Sequence, residues 1–66
     1  MQYAQPAQTR YIRRPDVEAL TGLSTSTIYK MMGEGQFPRP IRLTKKAVAW
    51  PEDQIINWLN SRPVAA

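Results

Sequence analysis

Apolar and polar positions follow two different periods along this chain, and the change of period divides it into elements. In the first half the apolar residues recur every three or four positions, the spacing of helices that bury one face. Pro15 suits the first turn of a helix and Gly22 suits the left-handed residue after its end, so a first helix is predicted over residues 15–21. Ser24 is a favourable N-cap for a second helix, predicted to end near Met32.

The second half alternates with period two before it returns to a helical pattern. Two short alternating runs, residues 41–43 and 48–50, flank Lys45 and Lys46, which predicts a β-hairpin with a basic tip. A last helix is predicted from Pro51, where a proline and two acidic residues form a favourable first turn.

One set of apolar side chains can join these elements into a single core. Tyr11 and Ile12 are predicted to form a short extended segment that packs one apolar side chain. The two tryptophans fall on inward stripes, which favours core packing over stacking on nucleic-acid bases. The predicted core comprises Ile12, Val17, Leu20, Leu23, Ile28, Met32, Phe37, Ile41, Leu43, Val48, Trp50, Ile55, Trp58 and Leu59.

A short helix, a turn and a second helix with a polar outer face are typical of a helix-turn-helix. With the hairpin as a wing, the predicted fold is a mostly helical winged helix-turn-helix of three helices over residues 10–62. Residues 1–9 are polar, contain a proline and lack periodicity, so we expect a disordered arm there and a tail at residues 63–66.

Composition limits the chemistry of this domain. The 66 residues include neither Cys nor His, so we expect no disulfide and no structural zinc site, and no other cofactor is indicated. A nucleophile or general base would have to come from scattered carboxylates, lysines or hydroxyls, so an enzyme is not expected. No run is apolar enough for a membrane span or a signal peptide, so we expect a cytoplasmic protein.

The charge pattern favours a polyanionic partner. Nine basic residues against five acidic ones give a net charge of +4, and most of the basic residues lie between residues 30 and 46 or just before the first helix. Duplex DNA is the predicted partner, with the second helix in the major groove and the wing on the backbone or minor groove. The candidate DNA-binding residues are Ser24, Thr25, Ser26, Thr27, Tyr29, Lys30, Arg39, Arg42, Lys45 and Lys46.

Each of these residues also has a purely structural interpretation. The hydroxyl residues 24–27 could serve only to cap the helix, although four in succession exceed what a cap needs. Tyr29 could pack against the core, and Lys45 and Lys46 could form a solvated turn.

Several short strings of this sequence resemble the AlpA family of prophage regulators. They are Val17-x-x-Leu-Thr-Gly-Leu-Ser, Ser26-Thr-Ile-Tyr-Lys, Glu34-Gly-Gln-Phe-Pro, Pro40-Ile-x-Leu, Ala47-Val-Ala-Trp and Trp58-Leu. The resemblance implies a winged-helix-like fold related to the MerR and excisionase groups. It also implies control of transcription, or of excision, of a phage or integrated element, with a recognition helix over residues 24–32 and a wing over residues 42–48.

Two alternatives to a transcriptional regulator stay open at this point. An excision factor would use the same fold and surface, and would contact an integrase. A phage adaptor that binds another protein would need large apolar residues on the outer face of the second helix. Because one domain covers little DNA, we expect either a monomer in free solution that binds DNA cooperatively or a weak dimer.

Overall fold

The computed structural model describes residues 9–65. Its elements, in chain order, are β1 (Tyr11–Ile12), α1 (Arg14–Thr21), α2 (Thr25–Gly33), β2 (Ile41–Thr44), β3 (Ala47–Pro51) and α3 (Glu52–Asn60). Three helices and an antiparallel hairpin confirm the predicted winged helix-turn-helix. The arm predicted at residues 1–9 lies outside the described residues apart from Thr9, whose hydroxyl donates to the Asp53 carboxylate over 2.9 Å.

The turn of the helix-turn-helix is set by local signals at both of its ends. Gly22 follows α1 with φ 75° and donates its N–H to the Glu18 carbonyl over 2.7 Å. This left-handed conformation suits a residue without Cβ. Ser24 is the N-cap of α2, and its Oγ accepts the Thr27 N–H. Both predicted boundaries are therefore confirmed.

The end of α2 is closed by a Schellman motif. Gly33 is still helical, whereas Gly35 has φ 73°. The Gly35 N–H bonds to the Met32 carbonyl over 3.1 Å, and the Gln36 N–H bonds to the Met31 carbonyl over 2.8 Å. These are the paired hydrogen bonds that terminate a helix at a left-handed residue, so the helix runs one residue beyond its predicted end.

The sheet contains a third strand that the sequence pattern did not predict. The strand order is β1-β3-β2, with both pairs antiparallel. Ile12 of β1 pairs with Trp50 of β3, and Tyr11 pairs with Pro51. Ile12 is buried and Tyr11 is exposed, as expected for the short extended segment. Two residues are too few to show alternation, so their pairing with a strand about forty positions away could not be read from pattern.

The core lies between the three helices and the inner face of β3. Seven buried residues form it: Ile12, Val17, Ile28, Met32, Phe37, Trp50 and Ile55. Leu23, Val48, Trp58 and Leu59 pack against it while partly buried. Eleven of the fourteen predicted core residues thus take part in the core.

The prediction was wrong for Ile41 and Leu43, which are exposed on β2. The register pairs Ile41 with Ala49 and Arg42 with Val48. Cross-strand partners share a face and alternate residues lie on opposite faces. Ile41 therefore shares a face of the sheet with Ala49, which is itself buried, while Arg42 lies on the face that holds Val48 and Trp50.

Leu20 was also wrongly assigned to the core, since it is exposed on α1. Val17 is buried, and the half-buried neighbour on its face is Thr21, whose hydroxyl donates to the Val17 carbonyl over 2.8 Å. The inward stripe of α1 therefore follows the i, i+4 direction instead of i, i+3. A helix of two turns offers too few apolar positions to distinguish these directions from sequence.

Both tryptophans hold the loop that connects α2 to β2. The Trp50 Nε1–H donates to the Pro38 carbonyl over 2.9 Å, and the Trp58 Nε1–H donates to the Gln36 carbonyl over 3.0 Å. Phe37 meets Trp58 edge to face with ring centroids 4.7 Å apart. Trp50 is fully buried and Trp58 partly buried, which confirms their predicted packing role.

Candidate nucleic-acid interface

The exposed face of α2 is a narrow polar stripe. Ser26, Tyr29, Lys30 and Gly33 are exposed, and their spacing of three, four and seven residues places them along one side of the helix. The opposite side holds the buried Ile28 and Met32. Tyr29 is 48% exposed, so its ring is only half covered and its hydroxyl end can reach solvent.

The four hydroxyl residues at the start of α2 have different partners. Ser24 caps the helix and donates its hydroxyl to Thr27 Oγ over 3.0 Å. Thr25 donates to the Glu18 carboxylate and so joins α2 to α1. Ser26 is left with a single, long contact of 3.3 Å to Ser24 Oγ. Hydrogen bonds within the protein therefore involve Ser24, Thr25 and Thr27 more fully than Ser26.

The hairpin is short, basic and internally braced. Its turn is formed by Lys45 and Lys46, as predicted. Arg42 Nη1 donates to the Lys45 carbonyl over 3.2 Å, and the Lys46 N–H donates to Thr44 Oγ over 3.1 Å. The register slips between Arg42 and Thr44, an irregularity of the kind that bends a strand and redirects its side chains.

Arg39 lies near the other end of α2. Its Nη2 donates to the Met32 carbonyl over 3.5 Å, at the long limit of a hydrogen bond. This contact places one guanidinium at the C-terminal end of α2, where the helix dipole favours a positive charge.

Two of the nine basic side chains are neutralised by ion pairs within residues 9–65. Arg10 pairs with Glu52 over 3.0 Å, and Arg14 pairs with Glu18 over 3.1 Å. The side-chain hydrogen bond and the charge of Glu52 raise the pKa of Arg10. The remaining basic groups are therefore the ones available to an external anion.

An open cleft of about 280 Å³ separates α1, α2 and the hairpin. The cleft is lined by Tyr29 of α2 and by Lys46 and Val48 of the hairpin. The fold thus brings two of the predicted site residues, Tyr29 and Lys46, to one concave surface. The remaining residues that line it are Arg13, Arg14, Pro15 and Trp50.

Arg13 and Arg14 were not among the predicted site residues. The only sequence signal at these positions was basic charge directly before a helix, which indicates no particular neighbour. The pairing of β1 with β3 and the packing of α1 on β3 carry this segment to the hairpin. Their place in the cleft is therefore a result of tertiary structure.

No helix of residues 9–65 is long and apolar enough to cross a membrane. In the same range, no three Asp or Glu side chains come together in a group able to hold a metal ion.

These features define a small winged helix-turn-helix domain. The family described as prophage CP4-57 regulatory protein (AlpA) matches residues 10–63. The chain belongs to this AlpA family, which is a family of phage regulatory proteins. It is also 42% identical over 55 residues to the uncharacterized protein ORF88 of Enterobacteria phage P4. That match covers 83% of this chain and 62% of the relative, so the chain spans somewhat less than two thirds of that protein's length.

Proposed function

We propose that this protein is a sequence-specific duplex-DNA-binding regulator of transcription in a phage or integrated mobile element. In this proposal α2 enters the major groove and the hairpin contacts the backbone or minor groove. The observation that carries it is the shared cleft, because Tyr29 of α2 and Lys46 of the hairpin line the same concave surface. A helix and a basic wing on one side of a domain suit the curved surface of a duplex.

Ser26 and Lys30 are the residues we assign to base reading. Both are exposed on the outer stripe of α2, and Lys30 forms no ion pair with any residue from 9 to 65. Short hydroxyl side chains let a helix backbone approach base edges closely, and lysine donates to guanine acceptors. Ser24, Thr25 and Thr27 then support the helix and its contact with phosphates.

Basic residues outside the reading stripe supply attraction to the backbone. Arg39, Arg42, Lys45 and Lys46 are exposed, and contacts of this type position a protein without reading sequence. A protein-binding adaptor is less favoured, because none of the exposed large aliphatic side chains of residues 9–65 lies on α2, where Tyr29 is the exposed large side chain.

The proposal is tested by binding titrations with duplexes from the region upstream of the neighbouring genes. Lys30→Ala and Ser26→Ala should each weaken the specific site by ~1–3 kcal/mol per lost base contact. Asn57→Ala, on the exposed side of α3, is the matched control and should bind as the wild type does. Unchanged affinity in both α2 variants would remove this helix from the reading surface.

We further propose that copies of the domain bind cooperatively to repeated half-sites. One short helix and one wing cover little DNA, so useful specificity needs more than one copy. Duplexes with one or two half-sites distinguish the cases. Identical affinity per site on both duplexes would contradict cooperative binding.

A further inference from the structure

Three separate parts of the chain meet at the cleft between α1, α2 and the hairpin. Arg13 precedes α1, Tyr29 belongs to α2, and Lys46 belongs to the hairpin turn. All three side chains are exposed. A ligand bound here would touch the helix-turn-helix and the wing at the same time.

The electrostatics of this cleft favour an anion. Three of its seven lining residues are basic and none is acidic. Arg14 is compensated by its ion pair with Glu18, whereas Arg13 and Lys46 have no ion-pair partner within residues 9–65. Two uncompensated cations that line one small concave surface repel each other until an anion lies between them.

The floor of the cleft is apolar. Val48 and Trp50 line it, and the Trp50 N–H already donates to the Pro38 carbonyl. Polar contacts must therefore come from the rim, where Arg13, Lys46 and the Tyr29 hydroxyl are donors. The volume is near the lower end of that of pockets for small organic ligands, which usually enclose most of the ligand. A phosphodiester, with its charged oxygens and apolar sugar carbons, matches an open cleft with this rim and floor.

We propose that Arg13, Tyr29 and Lys46 form a binding site for one backbone phosphate of duplex DNA. This inference rests on the proposed function and adds Arg13 to the DNA-binding surface. The phosphate fixes the wing relative to α2, since its ligands come from both. The site positions the domain on the duplex and does not read bases.

The first test compares Arg13→Gln with Arg62→Gln. Each removes one positive charge, but Arg62 lies over the Trp58 ring and is not among the residues that line the cleft. Arg13→Gln should weaken specific and nonspecific duplexes by the same factor, roughly eightfold at 0.1 M salt, and lower the log–log salt slope by about one. The Arg13 side chain makes no capping bond to α1, so unchanged thermal unfolding should accompany this loss.

The second test locates the phosphate on the duplex. A series of duplexes with single neutral methylphosphonates should contain one position that weakens the wild type more than it weakens Arg13→Gln, which still contacts this phosphate through Lys46 and Tyr29. Tyr29→Phe should be weakened several-fold without a change of salt slope, because only a neutral donor is lost. Both results would support the phosphate site.

Three outcomes would overturn the inference, and each leads to a different conclusion about the cleft and the proposed function. If Arg13→Gln loses no more affinity than Arg62→Gln while Lys30→Ala still loses specific binding, the cleft is not a DNA contact and the proposed function stands. If the wild type binds no duplex, the phosphate site and the proposed function are both wrong. If inorganic phosphate saturates the cleft at micromolar concentration in an NMR titration, the site is one for a free phosphate.

Discussion

Replacing Ser24 and Ser26 separately should distinguish the side chain that stabilises α2 from the side chain that contacts DNA. Ser24 Oγ accepts the Thr27 N–H over 3.2 Å, whereas Ser26 makes only the 3.3 Å contact with Ser24. Loss of an N-cap acceptor costs about 1 kcal/mol. In a domain of this size that lowers the midpoint of thermal unfolding by about 4–8 °C. Ser26→Ala should change the midpoint little.

The assay is thermal unfolding followed by circular dichroism at 222 nm, combined with binding titrations well below the midpoint. Ser24→Ala should unfold earlier and lose less affinity while folded than Ser26→Ala, whose unfolding midpoint should stay near that of the wild type. Ser24→Asn retains a capping acceptor and should restore most of the stability. Equal midpoints for the two alanine variants would refute the assignment of the cap, and full affinity in Ser26→Ala would refute its reading role.

Two further predictions concern the end of α2 and the wing. Gly35→Ala should reduce the free energy of unfolding by about 1–2 kcal/mol because Gly35 is left-handed. Gly33→Ala, where a Cβ meets nothing within 4 Å, should be neutral or add up to about 1 kcal/mol; equal denaturation midpoints would contradict this. Lys45→Gln and Lys46→Gln should each lower the salt slope of DNA binding by about one, and an unchanged slope in both variants would exclude the wing from the backbone.

Some features of the candidate site follow from local sequence, whereas others depend on contacts between distant segments. Helical spacing predicted a polar stripe of Ser26, Thr27 and Lys30 on α2. The structure exposes Ser26 and Lys30, whereas Thr27 is half-buried. The hydrogen bond of Thr25 was not predictable, because it depends on how α1 places Glu18. Arg13 was missed for a similar reason, since Lys46, which lines the same cleft, is far away in the chain.

The sequence by itself determined the order of the elements and the boundaries of the helix-turn-helix. Gly22 and Ser24 act on the backbone within a few residues of themselves, so their effects can be predicted without knowledge of the rest of the fold. The sequence also predicted that Ile41 and Arg42 lie on opposite faces of a strand. Only the tertiary structure decided that Arg42, and not Ile41, shares a face of the sheet with Trp50, because a shift of register by one residue exchanges the two faces of a strand. The same long-range pairing added β1 to the sheet and placed Arg13 beside the hairpin.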